Sequence, residues 1–259
     1  MARLRFPYKL EEARVIILGI PFEAEHYGKL KGASRATRAI RKYFDHYYSY
    51  DLERGIDLYD LPIYDAGDVK VSKDIARATR LVTRAIARLL KRNQEARFCF
   101  LGGDHLITSF TTRALRIKSL LAFDSHLDLL SLEEARGYEH ASSLRLALES
   151  VTKLYVRGVR DVAKSELTYA KIHGVDWRRD LKRLPRKVDY LSLDLDVLNP
   201  FETSVASPVA MGFGTREVIE AIRKVSFRHA DLVEWIPTRG YASVIAIFRE
   251  LLISLATAK

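Results

Sequence analysis

Short apolar runs alternate with longer amphipathic stretches along most of the chain. The apolar runs predict strands at Arg14–Ile20, Arg97–Leu101, Leu120–Asp124, Leu154–Arg157, Val188–Asp194 and Asp231–Trp235. Between them the spacing predicts helices near Ala33–Tyr48, Lys73–Arg92, Ile107–Arg116, Ala141–Glu149, Val162–Ile172, Thr215–Val225 and Ala242–Ala256. In Lys73–Arg92 the apolar positions Ile75, Ala78, Leu81, Val82, Ala85 and Leu89 recur at helical spacing. Strands that are apolar throughout, each followed by a helix, predict an α/β fold: a three-layer α/β/α arrangement around a mainly parallel sheet. No linker-like stretch, internal repeat or low-complexity tract interrupts the pattern, so a single domain over residues 1–259 is expected. In such folds ligands gather beyond the carboxyl ends of the strands.

Composition narrows the class. A lone cysteine, Cys99, excludes an intramolecular disulfide framework and lies in an apolar run that predicts burial, which fits a reducing cytoplasm. No run of about 18 apolar residues exists to cross a membrane, and Glu11 and Glu12 precede an apolar run too short for a signal peptide. The net charge of +10 raises nucleic acid as a partner, but the basic residues are scattered on helical stretches, as at Arg77, Arg80, Arg84 and Arg88. With no RNA-binding aromatic motif or metal-finger spacing beside them, they read as solvated helix faces, and neither nucleic acid nor membrane is expected. Asn93, Gln94 and Asn199 are the only side-chain amides, a depletion that resembles proteins of hot environments.

Three segments carry the chemistry: Gly102-Gly103-Asp104-His105, Asp124-Ser125-His126-Leu127-Asp128 and Asp194-Leu195-Asp196. Each lies at the end of an apolar run. If the strands continue, period-two alternation puts Asp124, His126 and Asp128 on one face and Asp194 with Asp196 on another. His105, Asp124, His126, Asp128, Asp194 and Asp196 exceed the roughly four ligands of a zinc site. They suit two divalent ions of higher coordination number, bridged by carboxylates and open to water. An internal salt-bridge cluster is the bland alternative, but four carboxylates without cations repel one another. Asp104 is expected to cap the following helix, with Gly102 and Gly103 serving the tight turn. His26, His46, His173 and His229 are expected at surface or helix positions, and Trp177 and Trp235 in packing.

The order Gly-Gly-Asp-His, Asp-x-His-x-Asp, Ser-x-Asp-x-Asp and a late Glu before Pro resembles the ureohydrolases: arginase, agmatinase, formiminoglutamase and relatives. Gly19-Ile20-Pro21-Phe22, the Gly32–Arg41 segment and Asp65-Ala66-Gly67-Asp68-Val69 extend the likeness over nearly the whole chain. The resemblance implies an arginase-like fold and two Mn2+ ions, with Co2+, Ni2+ or Fe2+ also compatible. It implies that His105, Asp124, Asp128 and Asp194 hold one ion, and that Asp124, His126, Asp194 and Asp196 hold the other. A water between the metals would become the nucleophile, oriented by Asp128. His140 matches the family's mobile histidine, a proton shuttle to the leaving amine, and Glu234 matches the carboxylate that grips a guanidinium. The pocket's negative balance by itself favours a small cationic planar substrate. Family members also imply a homo-oligomer, a trimer or hexamer, to which the apolar C-terminal helix would contribute unless it is buried within the subunit.

Several positions depart from the family pattern: Leu106, Ser125, Ala141-Ser142-Ser143, Asn199-Pro200, Ala206-Ser207-Pro208-Val209, Ile236-Pro237 and Thr238-Arg239-Gly240. None is an expected ligand, and all adjoin the pocket. The segment Leu129–Glu139, with Glu133, Glu134 and Glu139, is expected to form the wall reading the far end of the substrate. It offers few donors for an α-carboxylate, which favours agmatine over arginine. The competing expectations are a formiminoglutamase-type hydrolase and a ureohydrolase-like partner subunit that has lost activity.

Overall fold

The computed structural model describes residues 3–24, 30–135, 137 and 140–258. His26, Arg136 and Glu139 lie outside the described residues.

The strands are β1 (Val15–Ile20), β2 (Tyr50–Asp51), β3 (Ile56–Asp57), β4 (Ile63–Asp68), β5 (Arg97–Gly102), β6 (Ser119–Phe123), β7 (Lys153–Arg157), β8 (Asp176–Arg178), β9 (Lys187–Asp194) and β10 (Ser226–Val233). The α-helices are α1 (Ala36–Phe44), α2 (Ile75–Arg92), α3 (Ile107–Leu115), α4 (Ser143–Ala147), α5 (Lys164–Ile172), α6 (Thr215–Ile222) and α7 (Tyr241–Thr257). Eight strands form one parallel sheet in the order β4-β1-β5-β10-β9-β6-β7-β8, while β2 and β3 make a separate antiparallel hairpin.

Alternation sorts the apolar strand residues into two cores. Cys99 and Leu101 join one with α1, α6 and α7, whereas Phe98 and Phe100 join the other with α2, α3 and α4. The expected three layers are therefore present, and Cys99 is fully buried. Burial pushes its thiol far up, so it is an inert core group. Helix α7 is core: Val244, Ile245, Phe248, Leu251 and Leu252 are fully buried within the subunit, so an interface role for this face does not hold. No helix among the described residues is long and apolar enough to cross a membrane.

Local rules set several helix ends. Asp74 caps α2 by accepting from the Arg77 amide at 2.6 Å. Glu166 reaches back to the Ala163 amide at 2.8 Å to start α5. The expected helix Ala33–Tyr48 begins as a 3-10 turn at Ala33–Arg35 and stops at Phe44. The expected helix Ala141–Glu149 shrinks to five residues. The segments Gly32–Arg41 and Asp65–Val69 meet: the buried Arg41 guanidinium holds Asp65 at 2.7 and 2.9 Å and Asp68 at 2.5 Å, tying α1 to edge strand β4.

Strand order positions the site. The chain builds β5, jumps to β6, continues outward through β7 and β8, and returns to insert β9 and β10 into the gap. The carboxyl ends of β5, β10, β9 and β6 thus lie side by side, which is where sheets of this type bind ligands. Strand β10 is longer at its start than the apolar run suggested, because Arg228 and His229 break the pattern. It ends at Val233, not Trp235, and Glu234 turns the chain with φ 69°.

His229 is a correction to the surface expectation. It is 5% exposed inside β10, and its Nδ1 accepts the Phe98 amide at 3.1 Å, which requires a neutral ring. Burial, together with Arg228 and Arg97 and against the weaker pull of Asp189, lowers its pKa to about 3. Its folded value lies below the unfolded one, so its stabilising contribution is intact above about pH 6.5 and is lost on acidification toward pH 3. His229→Asn keeps an acceptor for the Phe98 amide but does not ionise. Chemical denaturation between pH 6 and 4 should show wild type losing stability faster than this variant by about 1.4 kcal/mol per pH unit. Parallel profiles for the two proteins would refute this.

Candidate metal centre and active site

The expected ligands converge, although not by strand alternation. Strand β6 ends at Phe123, and Asp124 to Asp128 follow in an irregular turn in which Asp128 takes φ 52°. Asp194 closes β9, while Asp196 lies in the 3-10 turn Leu195–Val197. The acidic side chains hang on tight turns at strand tips, and main-chain amides pin them. Asp124 accepts from the His126 amide at 2.6 Å, Asp194 from the Asp196 amide at 2.8 Å, and Asp196 from the Ser125 amide at 2.8 Å.

His105 sits one residue beyond the turn after β5. Gly103 there lies so close to the Phe22 carbonyl that a Cβ would be 2.1 Å from it, which only glycine allows. Nδ1 of the fully buried His105 faces Asp128 at 2.9 Å and both Asp124 and Asp194 at 3.2 Å. Nδ1 of His126 faces Asp196 at 2.7 Å and Asp124 at 3.7 Å.

Two groups able to hold an ion result. His105, Asp124, Asp128 and Asp194 form one, and Asp124, His126 and Asp196 the other. Asp124 belongs to both, as a bridging carboxylate would, whereas Asp194 falls only in the first. A third group brings Asp104, His140 and Glu234 together, their ligand atoms within 4.8 Å of one another.

The chemistry of this donor set fits two hard divalent cations. One oxygen of Asp124, Oδ2, is buried without a hydrogen bond. Burial opposes the His105 imidazolium, but Asp124, Asp128 and Asp194 outweigh it and raise its pKa well above the ordinary value. Burial likewise works against His126, yet Asp196 and Asp124 push it up to about 12. Burial and the Asp124 charge lift Asp128 to about 7. Burial, Asp196 and Asp124 raise Asp194 well above its usual range. Asp124 alone is held low, by the two imidazoles against its own burial. Cations bound among these groups would take over the charge balance that protons supply in their absence.

Asp104 behaves as expected of a turn residue, accepting the Leu106 amide at 2.8 Å, and it also accepts the Ala24 amide at 3.2 Å. Its place beside His140 and Glu234 was not anticipated. Glu234, 4% exposed, accepts the His105 amide at 2.7 Å and thereby joins the β10 tip to the β5 turn. Burial, followed by the charges of Asp104 and Asp194, raises its pKa well above normal. His140 is buried, with Nε2 at 3.5 Å from the Ser207 hydroxyl.

Some positions that depart from the family pattern serve the site. Ser143 donates to Asp128 at 2.9 Å, and the Ser125 hydroxyl lies 3.1 Å from His126 Nδ1. Glu166 of α5 braces the same turn by accepting the Leu129 amide at 2.9 Å. Beneath the centre lies a buried polar set in which Ser192 of the Ser-x-Asp-x-Asp motif meets Thr108, Tyr190 and Asp231, three residues that the sequence did not single out. The available signal was an acidic residue and a serine inside otherwise apolar strands.

A parallel sheet with paired carboxylate–imidazole groups at adjacent strand tips defines a hydrolase scaffold of the arginase type. The sequence matches the arginase family over residues 13–255, and the chain belongs to that family. It is 33% identical over 231 residues to an agmatinase from Pyrococcus horikoshii, covering 85% of this chain and 81% of that one. It is 34% identical over 234 residues to an N(1)-aminopropylagmatine ureohydrolase from Thermococcus kodakarensis, with the same coverage. Among solved structures, the agmatine ureohydrolase of Thermoplasma volcanium superposes with a TM-score of 0.83 at 24% identity, covering 96% of this chain and 91% of that one. Proclavaminate amidino hydrolase from Streptomyces clavuligerus gives 0.83 at 25% identity, covering 98% and 96%. The chain is an arginase-family hydrolase.

Cation uptake must displace the protons held by His105 and His126. Since Asp194 and Asp128 are raised as well, calorimetry at pH 7 in two buffers of different ionisation enthalpy should show at least two protons released per chain on saturation, with affinity falling as pH falls. Heats that do not depend on the buffer would contradict this reading of the centre.

Proposed function

We propose that the chain is a binuclear manganese hydrolase that cleaves a guanidinium substrate to urea and an amine, with agmatine favoured and arginine next. The observation that carries the reading is the shared Asp124 between two ligand groups, with Asp104, His140 and Glu234 forming a third group beside them. His105, Asp124, Asp128 and Asp194 would hold one ion, and Asp124, His126 and Asp196 the other, with Asp194 near enough to His105 to belong to the first. When bound, such ions supply a nucleophile at neutral pH and neutralise developing charge. Manganese suits the oxygen-rich donor set, as would cobalt, nickel or iron.

The remaining work falls to the chain's own groups. Glu234 would grip the planar guanidinium through its forked donors, with Asp104 adding negative potential alongside. Asp128, steadied by Ser143, is placed to accept the proton of the attacking water. His140 would pass a proton to the nitrogen that leaves as the carbon–nitrogen bond breaks. The water oxygen ends on the urea carbon, and the amine departs neutralised.

Preference for agmatine rests on the wall. Its described part carries exposed Glu133 and Glu134, which suit a distal ammonium better than a carboxylate. The two relatives named for agmatine and N(1)-aminopropylagmatine support a polyamine-type tail. Urea release should be measured with manganese on agmatine, N(1)-aminopropylagmatine, arginine, guanidinobutyrate and guanidine. Turnover of agmatine or its aminopropyl derivative should exceed that of arginine, and the reverse order would overturn the assignment. Glu234→Gln should lower kcat/KM by about two orders of magnitude or more, since removing one partner of a buried charge pair costs about 2–5 kcal/mol. Undiminished turnover would remove Glu234 from substrate binding.

A further inference from the structure

The polar set beneath the centre has a direction. Asp231 is fully buried at the middle of β10, in register with Ser192 on β9. Its Oδ1 accepts the Ser192 hydroxyl at 2.7 Å, and its Oδ2 accepts Thr108 at 2.7 Å and Tyr190 at 2.8 Å. Three hydroxyl donors on one carboxyl satisfy an ionised group. Burial raises its pKa, while the His105 charge and these three hydroxyl donors work against that rise and favour the carboxylate.

The Ser192 hydrogen is therefore committed to Asp231. The same Ser192 oxygen lies 3.0 Å from His105 Nε2, and with no hydrogen left to give, it must accept. Nε2 must carry the proton, so Nδ1 is the nitrogen whose lone pair becomes available to a cation. That is the nitrogen facing Asp124, Asp128 and Asp194. With Asp231 ionised, the opposite tautomer would need Ser192 to donate to Nε2, leaving two bare oxygens facing each other at 2.7 Å.

We infer that Asp231, acting through Ser192, is a positioning residue that locks His105 into its Nε2–H form, presenting Nδ1 to the ion held with Asp124, Asp128 and Asp194. The inference rests on the binuclear reading proposed above. Asp231 belongs to none of the possible ligand groups, and Thr108 and Tyr190 keep its second oxygen occupied so that Oδ1 stays aimed at Ser192. Hydrogen bonds that orient a metal-ligating histidine commonly govern affinity.

The test compares Asp231→Asn with Ser192→Ala by manganese titration calorimetry, after the unfolding midpoints of the metal-free proteins establish that both are folded. The asparagine amide introduces a donor of nearly unchanged shape and can reverse the relay, so Asp231→Asn should weaken one of the two ions by about 10–100-fold and leave the other near wild type. Ser192→Ala removes the acceptor without forcing the wrong tautomer and should lose less. A merely structural role predicts the opposite order, because the isosteric amide packs better than a cavity. Nitrogen-15 spectra of zinc-loaded wild type should show His105 protonated on Nε2, a readout that serves even if one variant does not fold. Two ions bound with wild-type affinity in both variants, or a His105 bearing its proton on Nδ1, would overturn the inference. Two ions bound in wild type without turnover of any guanidinium would sink the proposed reaction and leave this inference standing. A wild-type protein that takes up no ion would sink both.

Discussion

The structure depends on an arrangement that is electrostatically unfavourable by itself: Asp124, Asp128, Asp194 and Asp196 share one largely dry patch with two imidazoles. Buried carboxylates this close cannot all stay ionised without compensating charge. Three of the four have a main-chain amide fixed on them, from Ser125, His126 or Asp196. Those donors hold the acids in place whether or not a cation is present, so the fold itself carries the cost of preorganisation. The elevated pKa values of His105 and His126 show what that costs in protons.

Topology explains how residues as distant in sequence as His105 and Glu234 meet. The chain leaves a gap between β5 and β6, then fills it with β9 and β10, so the ligand-bearing tips become neighbours only when the last strands insert. The Glu234 link to the His105 amide crosses 129 positions. Contacts of this separation form late and slowly. Both Asp128 and Glu234 take left-handed backbone angles that non-glycine residues seldom adopt. The turns around them are held by other contacts: Ser143 and Glu166 for the first, Gly103 and His105 for the second. That combination of local strain and surrounding restraint is typical where side-chain direction matters more than local comfort.

Much of this was legible in the chain. Fully apolar strands gave the parallel sheet, and the six ligand positions stood out because acidic and imidazole groups ended those runs. The alternation argument named residues that the fold does bring together, but for a wrong local reason, since the groups hang on turns after the strands. Other features were hidden for physical reasons. The edge strand β8 is only Asp176–Arg178 and half-buried, so it shows no apolar run, and the start of β10 is masked by Arg228 and His229. His229 looked like a surface residue because burial of a neutral imidazole leaves no trace in spacing. Asp104 read as a turn residue, and it is one. Its neighbours His140 and Glu234 come from other segments, and only the fold brings them to it.

The departures from the family pattern divide by what they touch. Ser143 and Ser125 replace residues of the usual turns yet contact Asp128 and His126, and Ser207 lies beside His140. Around the carboxylate–imidazole groups, then, different side chains make compatible contacts, and all six expected donors are brought together. Ile236, Asn199 and the segment up to Arg239 shape the surroundings instead, with Arg239 held to the Pro200 carbonyl and Trp235 donating to the Arg239 carbonyl at 2.9 Å. A reaction is set by the atoms around the carbon that is attacked, and selectivity by the walls that receive the rest of the molecule. Divergence of this second kind changes which tail is accepted without touching the carboxylate–imidazole groups. This is why a chain about equally similar to an agmatinase and to an aminopropylagmatine ureohydrolase is better described by its centre than by either relative's substrate.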